Sequence, residues 1–259
     1  MTEKFEQLAQ DLAMAWRTGT LVPLPPAGKG PASRAEAIWI QDRMAAILGD
    51  KVVGWKVGAT VRAVQIFEGH DRPMPGRIFA DRLFDSPAKL PSKLLPGVKV
   101  ECEFAFRTTR AVPKGKTLTA AMLADALVFH PAFEVTGGHY APGTGNRAST
   151  TFDGIADNGT SGAAVLGPAI KDWHGLPFET LEIDARLEGT PLQAYSGVYR
   201  RNPVDIVAET FNDLHARGIE IPSGTVVLTG SLTLPTPVRP GQTVTARYAD
   251  LPSFSMTMA

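Results

Sequence analysis

Two glutamates that alternate with apolar residues are the first candidates for chemistry in this sequence. Side chains alternate between the faces of a strand, so the run 98–106 predicts an apolar face made of Val98, Val100, Cys102, Phe104 and Phe106. Glu101 and Glu103 point to the other face, roughly 7 Å apart. Carboxylates at this separation repel each other or share a cation that prefers oxygen ligands. The alternative is a solvated strand face, because charged side chains are normally exposed.

A third acid lies inside another apolar run. Glu134 stands between Phe133 and Val135, and burial of a carboxylate costs free energy unless its charge is paired. A cation shared with Glu101 and Glu103 would pair that charge. An edge strand would instead leave Glu134 facing water, and the residues alone keep both alternatives open.

A lysine between two glycines is the candidate cationic group. Lys56 lies in the strand-like run 52–59, which Gly54 and Gly58 interrupt. Glycine in a strand often marks a bulge or a close approach of another backbone. An exposed strand lysine is the alternative interpretation.

A long polar segment follows the third acid. Residues 137–153 are many for a loop without secondary structure, and such loops often cover binding sites. We therefore predict a mobile cover that carries His139, Tyr140 and Arg147. Asp157 and Asn158 follow it in a turn-rich polar cluster that opens another apolar run.

Composition excludes several classes of function. The 26 basic and 26 acidic residues balance, so nothing indicates a nucleic-acid or anionic membrane partner. No apolar run is long enough to cross a bilayer, and the first residues do not resemble a signal peptide. A single cysteine fits a reducing compartment. Together these features predict a cytoplasmic protein.

Familiar catalytic motifs do not occur. The sequence contains no glycine-rich dinucleotide fingerprint and no phosphate-binding loop. The five histidines lack the spacing of zinc ligands. Cys102 faces the apolar side of its predicted strand, and Ser161 lacks a nucleophile elbow, so neither is a convincing nucleophile.

The predicted elements must position these groups. Helical spacing of apolar residues and capping signals predict helices over 5–16, 34–48 and 203–217, and alternation predicts C-terminal strands over 225–228, 243–248 and 254–258. Many strands with few intervening helices favour an antiparallel or mixed sheet over a doubly wound one.

Six short motifs, in this order along the chain, resemble the 2-keto-4-pentenoate hydratase family of the fumarylacetoacetate hydrolase superfamily. They are Gly54–Thr60, Glu101–Glu103, Pro131–Glu134, Ala156–Asn158, Leu228–Thr233 and Leu251–Ser255. The resemblance extends from about residue 51 to the C-terminus. It implies an α+β fold, with a mixed β-roll or barrel-like sheet and an N-terminal helical region. We place an N-terminal helical and α+β region at 1–75 and a β-roll catalytic domain at 76–259.

The resemblance also assigns roles to residues. It implies a divalent metal, Mg²⁺ or Mn²⁺, held by Glu101, Glu103 and Glu134. It places Lys56 as a catalytic group near the keto-acid end of the substrate. It further implies that Ser231, Asp157 and Asn158 bind the substrate, the last two by lining or bracing the site.

The implied activity is that of a metal-dependent lyase in aromatic catabolism. The leading interpretation is a hydratase that adds water to a 2-hydroxydienoate or 2-keto-enoate through an enolate whose charge the metal stabilises. One alternative is a decarboxylase of a 2-keto dicarboxylate such as 4-oxalocrotonate. Another is a non-catalytic subunit that binds an active relative. The expected partners are a small 2-keto acid and further copies of the chain, alone or in complex with a related decarboxylase or hydratase.

Two departures from the family pattern concern the substrate rather than the metal. The family commonly has an acid in a Pro-Asp-Tyr/Phe-Gly passage, where this chain has Met74. It often follows the third metal glutamate with Asp-Ser-Arg, where this chain has Gly137, Gly138 and His139. We interpret His139 or Arg147 as a functional replacement.

Overall fold

The computed structural model describes residues 3–195 and 200–259. The described residues form helices α1 (Glu6–Thr18), α2 (Arg34–Leu48), α3 (Arg62–Glu68), α4 (Ala120–Leu123), α5 (Thr151–Ala156) and α6 (Pro203–Ala216). Strands in the first half of the chain are β1 (Val22–Pro23), β2 (Val52–Gly58), β3 (Met74–Phe79), β4 (Leu83–Asp85), β5 (Ala88–Leu90), β6 (Lys99–Thr108) and β7 (Leu127–Thr136). The second half adds β8 (Tyr140–Ala141), β9 (Ser161–Leu166), β10 (Ile183–Leu187), β11 (Thr190–Pro191), β12 (Val226–Ser231), β13 (Thr236–Pro237), β14 (Thr243–Tyr248) and β15 (Phe254–Met258).

A mixed sheet forms the centre of the molecule. Its strand order is β3-β2-β12-β6-β7-β9-β4, and β13 pairs with β6 outside that path. β12 runs parallel to β2 and antiparallel to β6, while β6 and β7 form a long antiparallel pair. A second sheet has the order β11-β10-β14-β15-β5. The prediction of an α+β fold with a mixed, curled sheet is therefore confirmed.

The alternation predicted for residues 98–106 separates two environments. The apolar face of β6 joins the main core, which also contains side chains of the second sheet and of α6. Phe104 packs edge-on against Phe129, Phe178 and Tyr248, with ring centroids 5.0 to 6.0 Å apart. Ala105 lies on the opposite face of β6, in a small cluster of apolar side chains. Glu101 and Glu103 share that second face because their positions have the same parity.

The N-terminal helices form a separate apolar cluster. α1 and α2 pack against each other, and α2 also contacts α5. The side chain of Ser33 accepts a hydrogen bond from the backbone N–H of Glu36, and Gly49 ends α2 with φ of +68°. These caps match the sequence prediction, because serine satisfies an unpaired helical N–H and glycine adopts left-handed backbone at low cost.

The N-terminal region is joined to the rest of the chain through the central sheet. Strand β2 pairs with β12, and the predicted boundary at residue 75 lies inside β3. The division into regions 1–75 and 76–259 stays a prediction. Within residues 3–195 and 200–259, no helix has the length and apolar character needed to cross a membrane.

We expect Phe104→Ala to lower the free energy of unfolding by about 3–5 kcal/mol, because it leaves a cavity among aromatic rings that the core cannot refill. Urea denaturation measures this change. Phe67→Ala is the matched control, since that ring is 90 % exposed and its loss should change stability by less than about 0.5 kcal/mol. Equal losses for the two variants would contradict the assignment of the core.

Candidate active site

Three carboxylates converge on one face of the β6–β7 pair. Glu101 stands directly opposite Glu134 in the antiparallel register, and Glu103 follows two residues along β6. One oxygen from each side chain lies within 4.8 Å of the others. Glu103 and Glu134 are almost completely buried, with 1 % and 2 % of their surfaces exposed. This separation is within the range over which oxygens coordinate a single cation.

A buried lysine reaches the same point from β2. The Nζ atom of Lys56 lies 3.1 Å from Oε1 of Glu134. Strand β12 lies between β2 and β6, and β2 approaches it closely at Gly54. A Cβ at Gly54 would lie 2.5 Å from the carbonyl oxygen of Val226. The glycine predicted to mark a close backbone approach therefore does so.

The electrostatics of this cluster favour a divalent cation. Three carboxylates and one ammonium carry a formal charge of −2, which a divalent cation neutralises. Burial first, and then repulsion from Glu134, raise the pKa of Glu101 to about 7. Burial and the neighbouring glutamates likewise raise the pKa of Glu103. Burial alone would lower the pKa of Lys56, but the attraction of Glu134, Glu101 and Glu103 outweighs it and raises that pKa.

The donor atoms also fit a hard metal ion. Oε1 of Glu134 is buried and has no partner with hydrogen-bond geometry, although the Lys56 ammonium lies near it as an ion pair. A buried carboxylate oxygen with this ion pair still has a lone pair that a metal ion could coordinate. Carboxylate oxygens suit Mg²⁺, Mn²⁺ or Ca²⁺ rather than softer metals. Glu101, Glu103 and Glu134 are thus the residues that could hold such an ion.

Backbone groups orient the central carboxylate. The N–H of Gly230 donates a 2.8 Å hydrogen bond to Oε2 of Glu103. Gly230 has φ of +106°, a backbone conformation that strains residues with a side chain. A Cβ at this position would also lie 2.6 Å from Oγ1 of Thr60, so there is no space for one. The hydroxyl of Tyr248 lies 3.1 Å from the carbonyl oxygens of Glu103 and Ala132, to which it donates from the core side. Gly230 thus holds the carboxylate of Glu103, and Tyr248 holds the backbone that carries it.

The carboxylates open into a cavity of about 250 Å³. Ser231 lines this cavity, as the resemblance implies, and its hydroxyl donates a 2.6 Å hydrogen bond to the carbonyl of Thr233. Met74 lines the same cavity, so the position without the family's acid does face the site. The lining residues that the sequence analysis did not identify include Glu68, Lys99 and Thr160. The four-residue spacing of Val64 and Glu68, which places both on one face of α3, is the signal that could have indicated Glu68.

Asp157 and Asn158 lie behind the cavity rather than in its lining. Each is 1 % exposed and is engaged by neighbouring protein groups. Asn158 accepts a hydrogen bond from the N–H of Arg77 and donates one to its carbonyl, at 2.8 and 2.9 Å. Asp157 accepts from the backbone N–H of His139 and lies 2.8 Å from its Nδ1 atom. This geometry fits the bracing role, and direct contact with a substrate stays an untested prediction.

No residue of 137–153 lines the cavity, so the structure does not place the predicted cover at the site, and the mobility of this segment stays a prediction. His139 is 3 % exposed and tied to Asp157. Arg147 forms a two-pronged ion pair with Asp153, with N–O distances of 2.7 and 2.8 Å. Strand β8 pairs with β1. Neither His139 nor Arg147 lines the cavity, so neither replaces a family residue there. The length of the segment alone misled the prediction, because these polar side chains pair with buried acids within the segment or just after it, Asp153 and Asp157.

Known proteins resemble this chain along most of its length. No family model matches it. It is 31 % identical over 224 residues to the TodF product hydratase of Pseudomonas putida strain F1, covering 85 % of this chain and 81 % of that protein. It is 28 % identical to the 2-keto-4-pentenoate hydratase of Paraburkholderia xenovorans LB400, covering 91 % and 88 %. It is 29 % identical to the 4-oxalocrotonate decarboxylase of Pseudomonas sp. CF600, covering 80 % and 77 %.

Solved structures show the same fold. The 4-oxalocrotonate decarboxylase of Pseudomonas putida G7, complexed with magnesium and adipate, superimposes with a TM-score of 0.84. The match covers 100 % of this chain and 98 % of that one, at 24 % identity. A 2-hydroxyhepta-2,4-diene-1,7-dioate isomerase from Mycobacterium marinum matches 81 % of this chain and 76 % of that one, with a TM-score of 0.55 at 16 % identity. The sequence relatives show that the chain belongs to the 2-keto-4-pentenoate hydratase and 4-oxalocrotonate decarboxylase family.

We expect Glu103→Gln to weaken Mn²⁺ binding by more than about 100-fold. The loss should exceed that for a residue that only hydrogen-bonds to a ligand, because Glu103 is itself a charged candidate ligand. Isothermal titration calorimetry measures the affinity. The metal-free variant should melt no lower than the metal-free wild type, since the substitution also removes repulsion within the cluster. Glu179→Gln, an exposed acid, is the matched control. Unchanged Mn²⁺ affinity in Glu103→Gln would exclude this carboxylate as a ligand.

The metal should stabilise the protein more at high pH than at low pH. The pKa of Glu101 in the metal-free fold is raised from 4.5 to about 7. That carboxyl's contribution to stability is therefore complete below about pH 4.5 and is lost as the pH rises through about 7. Between those values protons compete with the cation, and its apparent affinity should fall about tenfold for each pH unit below 7 if one proton is displaced.

Thermal melts with and without Mg²⁺ between pH 5 and pH 8 test this dependence. The pKa of His70 and of His130 is lowered by burial, so these residues shift stability in the opposite direction over part of the same range. Their contribution cancels when the two melts at each pH are subtracted. A metal-induced shift in melting temperature that is constant with pH would contradict the prediction.

Proposed function

We propose that this protein is a divalent-metal-dependent lyase, a hydratase that adds water to a 2-hydroxydienoate or 2-keto-enoate in aromatic catabolism. The observation that carries the proposal is the convergence of Glu101, Glu103 and Glu134 beside Lys56 in a cavity. Relatives that cover most of the chain are named as hydratases of such compounds, including a 2-oxo-hept-4-ene-1,7-dioate hydratase of Escherichia coli at 26 % identity.

The cluster suits a 2-keto acid as substrate. Mg²⁺ or Mn²⁺, when bound by the three glutamates, supplies a Lewis acid for the carboxylate and keto oxygens of such a ligand. Lys56 keeps its proton because the surrounding carboxylates raise its pKa. Its ammonium can therefore stabilise the negative charge that develops on the keto oxygen as the substrate enolises. Ser231, on the cavity wall formed by β12, is placed to donate a hydrogen bond to the substrate carboxylate once its hydroxyl leaves Thr233.

A decarboxylase acting on a 2-keto dicarboxylate is the second candidate. It is favoured by Lys99, a second cationic side chain that lines the cavity and could pair with a distal carboxylate. Relatives named 4-oxalocrotonate decarboxylase support it as well. Both reactions need the same enolate chemistry, so the cluster of acids does not separate them.

A non-catalytic partner subunit is the third candidate. It predicts no turnover by the isolated protein and activity only in a complex with a relative. The buried Lys56–Glu134 pair argues for catalysis instead, because a purely structural role would not require such a costly group of charges.

We also propose that the protein is a cytoplasmic homo-oligomer. Its one cysteine is buried, which suits a reducing compartment, and size-exclusion chromatography with light scattering measures its assembly.

One activity screen separates these candidates. The purified protein is incubated with Mg²⁺ or Mn²⁺ and a panel of 2-hydroxydienoates and 2-keto dicarboxylates, and products are identified by mass spectrometry. Water addition to a monocarboxylate supports the hydratase, and release of carbon dioxide from a dicarboxylate supports the decarboxylase. No turnover by a homogeneous protein with bound metal would contradict both and favour the partner subunit.

Lys56→Met should lower turnover by about 10²- to 10⁴-fold, the usual loss when a group that stabilises developing charge is removed. Mn²⁺ affinity should stay the same or increase, because a neighbouring positive charge is lost. Steady-state kinetics and calorimetry on the same preparation measure the two effects. Turnover equal to that of the wild type would remove Lys56 from the mechanism.

A further inference from the structure

Helix α3 brings a fourth carboxyl group to the cavity. Val64 and Glu68, one helical turn apart, both line it, so one face of α3 forms part of the cavity wall. Ile66 and Phe67 are 68 % and 90 % exposed. Within residues 3–195 and 200–259, Glu68 is the one cavity-lining carboxyl outside the cluster of Glu101, Glu103 and Glu134.

The position of Glu68 is defined by its neighbours. Its carbonyl oxygen accepts a 2.6 Å hydrogen bond from the hydroxyl of Thr151, and Gly69 ends the helix with φ of +76°. The Nε2 atom of His70 lies 3.5 Å from Oε2 of Glu68, and His70 is 8 % exposed. The side chain of Glu68 is 46 % exposed. It therefore borders both the cavity and the solvent, as a group that exchanges protons with water must.

Apart from Lys99, the other charged groups of the cavity are committed to different tasks. The three clustered glutamates are the candidate metal ligands. The Nζ atom of Lys56 is engaged in an ion pair with Oε1 of Glu134, 3.1 Å away. Glu68 lines the same cavity as Lys56 and Glu101, and its charge interacts with theirs. Burial raises the pKa of Glu68, against the opposing charge of Lys56, and brings it nearer to the range that suits a general base.

We propose that Glu68 is a catalytic residue that transfers the protons of the hydration step. Its carboxylate takes a proton from a water molecule as the water oxygen bonds to C4 of a 2-keto-3-enoate. The electron pair of the C3=C4 bond moves to C3, and the same carboxyl returns the proton there. Water is added in total, and Glu68 ends the cycle as a carboxylate. This inference rests on the proposed function, because it assumes a substrate that enolises at C3.

Three variants test the proposal: Glu68→Gln, Glu68→Asp and the control Glu179→Gln, which makes the same chemical change at an exposed acid outside the cavity. Each is assayed for Mn²⁺ affinity by calorimetry and for turnover of the compound that the wild type converts. Each is also assayed for exchange of the C3 protons of pyruvate with D₂O by NMR. Pyruvate enolises but has no double bond to hydrate, so its exchange reports proton transfer alone.

Glu68→Gln should lose about 10²- to 10⁴-fold in turnover and in pyruvate exchange while its Mn²⁺ affinity stays within about threefold of wild type. Glu68→Asp should be at least about tenfold more active than Glu68→Gln, because it restores a carboxylate that can accept the proton, on a side chain that is one methylene shorter. Glu179→Gln should match the wild type in all three assays.

Turnover and exchange within about threefold of wild type in Glu68→Gln would overturn the proposal. So would a loss that Mn²⁺ affinity follows in parallel, since that would mean a damaged metal site. A wild type that exchanges pyruvate protons but hydrates none of the unsaturated acids contradicts the hydratase assignment, and the exchange assay then still decides the role of Glu68. A wild type with neither activity overturns both.

Discussion

The antiparallel register of β6 and β7 is the constraint on which the site depends. It sets Glu101 opposite Glu134 and leaves Glu103 on the same face. A shift by one residue would exchange the two faces and move the aromatic side chains of β6 out of the core. Because Phe104 and Phe106 are buried among other rings, such a shift is too costly to occur. The hydrophobic side of the strand thus holds the acids of the other side in place.

The cluster itself is unfavourable for the fold without a counter-charge. Buried glutamates close to one another raise each other's pKa, and burying them costs free energy that an apolar face would not. Lys56 offsets part of that cost through its ion pair with Glu134. The remaining formal charge matches a divalent cation. A divalent cation bound by these carboxylates would therefore stabilise the fold.

Polar residues near the site divide into those that face the cavity and those that support its walls. Asn158 bonds both backbone groups of Arg77 on β3, and β3 pairs with the strand that carries Lys56. Its role is to position a strand. Glu68 faces the cavity from α3, and Met74 faces it from β3. The chain therefore has Met74 where the family pattern has an acid. Glu68 provides a carboxyl group at another point of the cavity wall.

The amino-acid sequence by itself determined the alternation of β6, the capped helices, the mixed sheet and the family, because these follow from local periodicity and from ordered short motifs. It also indicated the acids and Lys56 as candidates. Only the tertiary structure decided that these four groups meet, since their approach depends on pairing between strands distant along the chain. The tertiary structure also shows that Glu68 lines the cavity and that His139 and Arg147 do not. Whether a polar side chain meets substrate or another buried partner depends on packing, which periodicity does not encode.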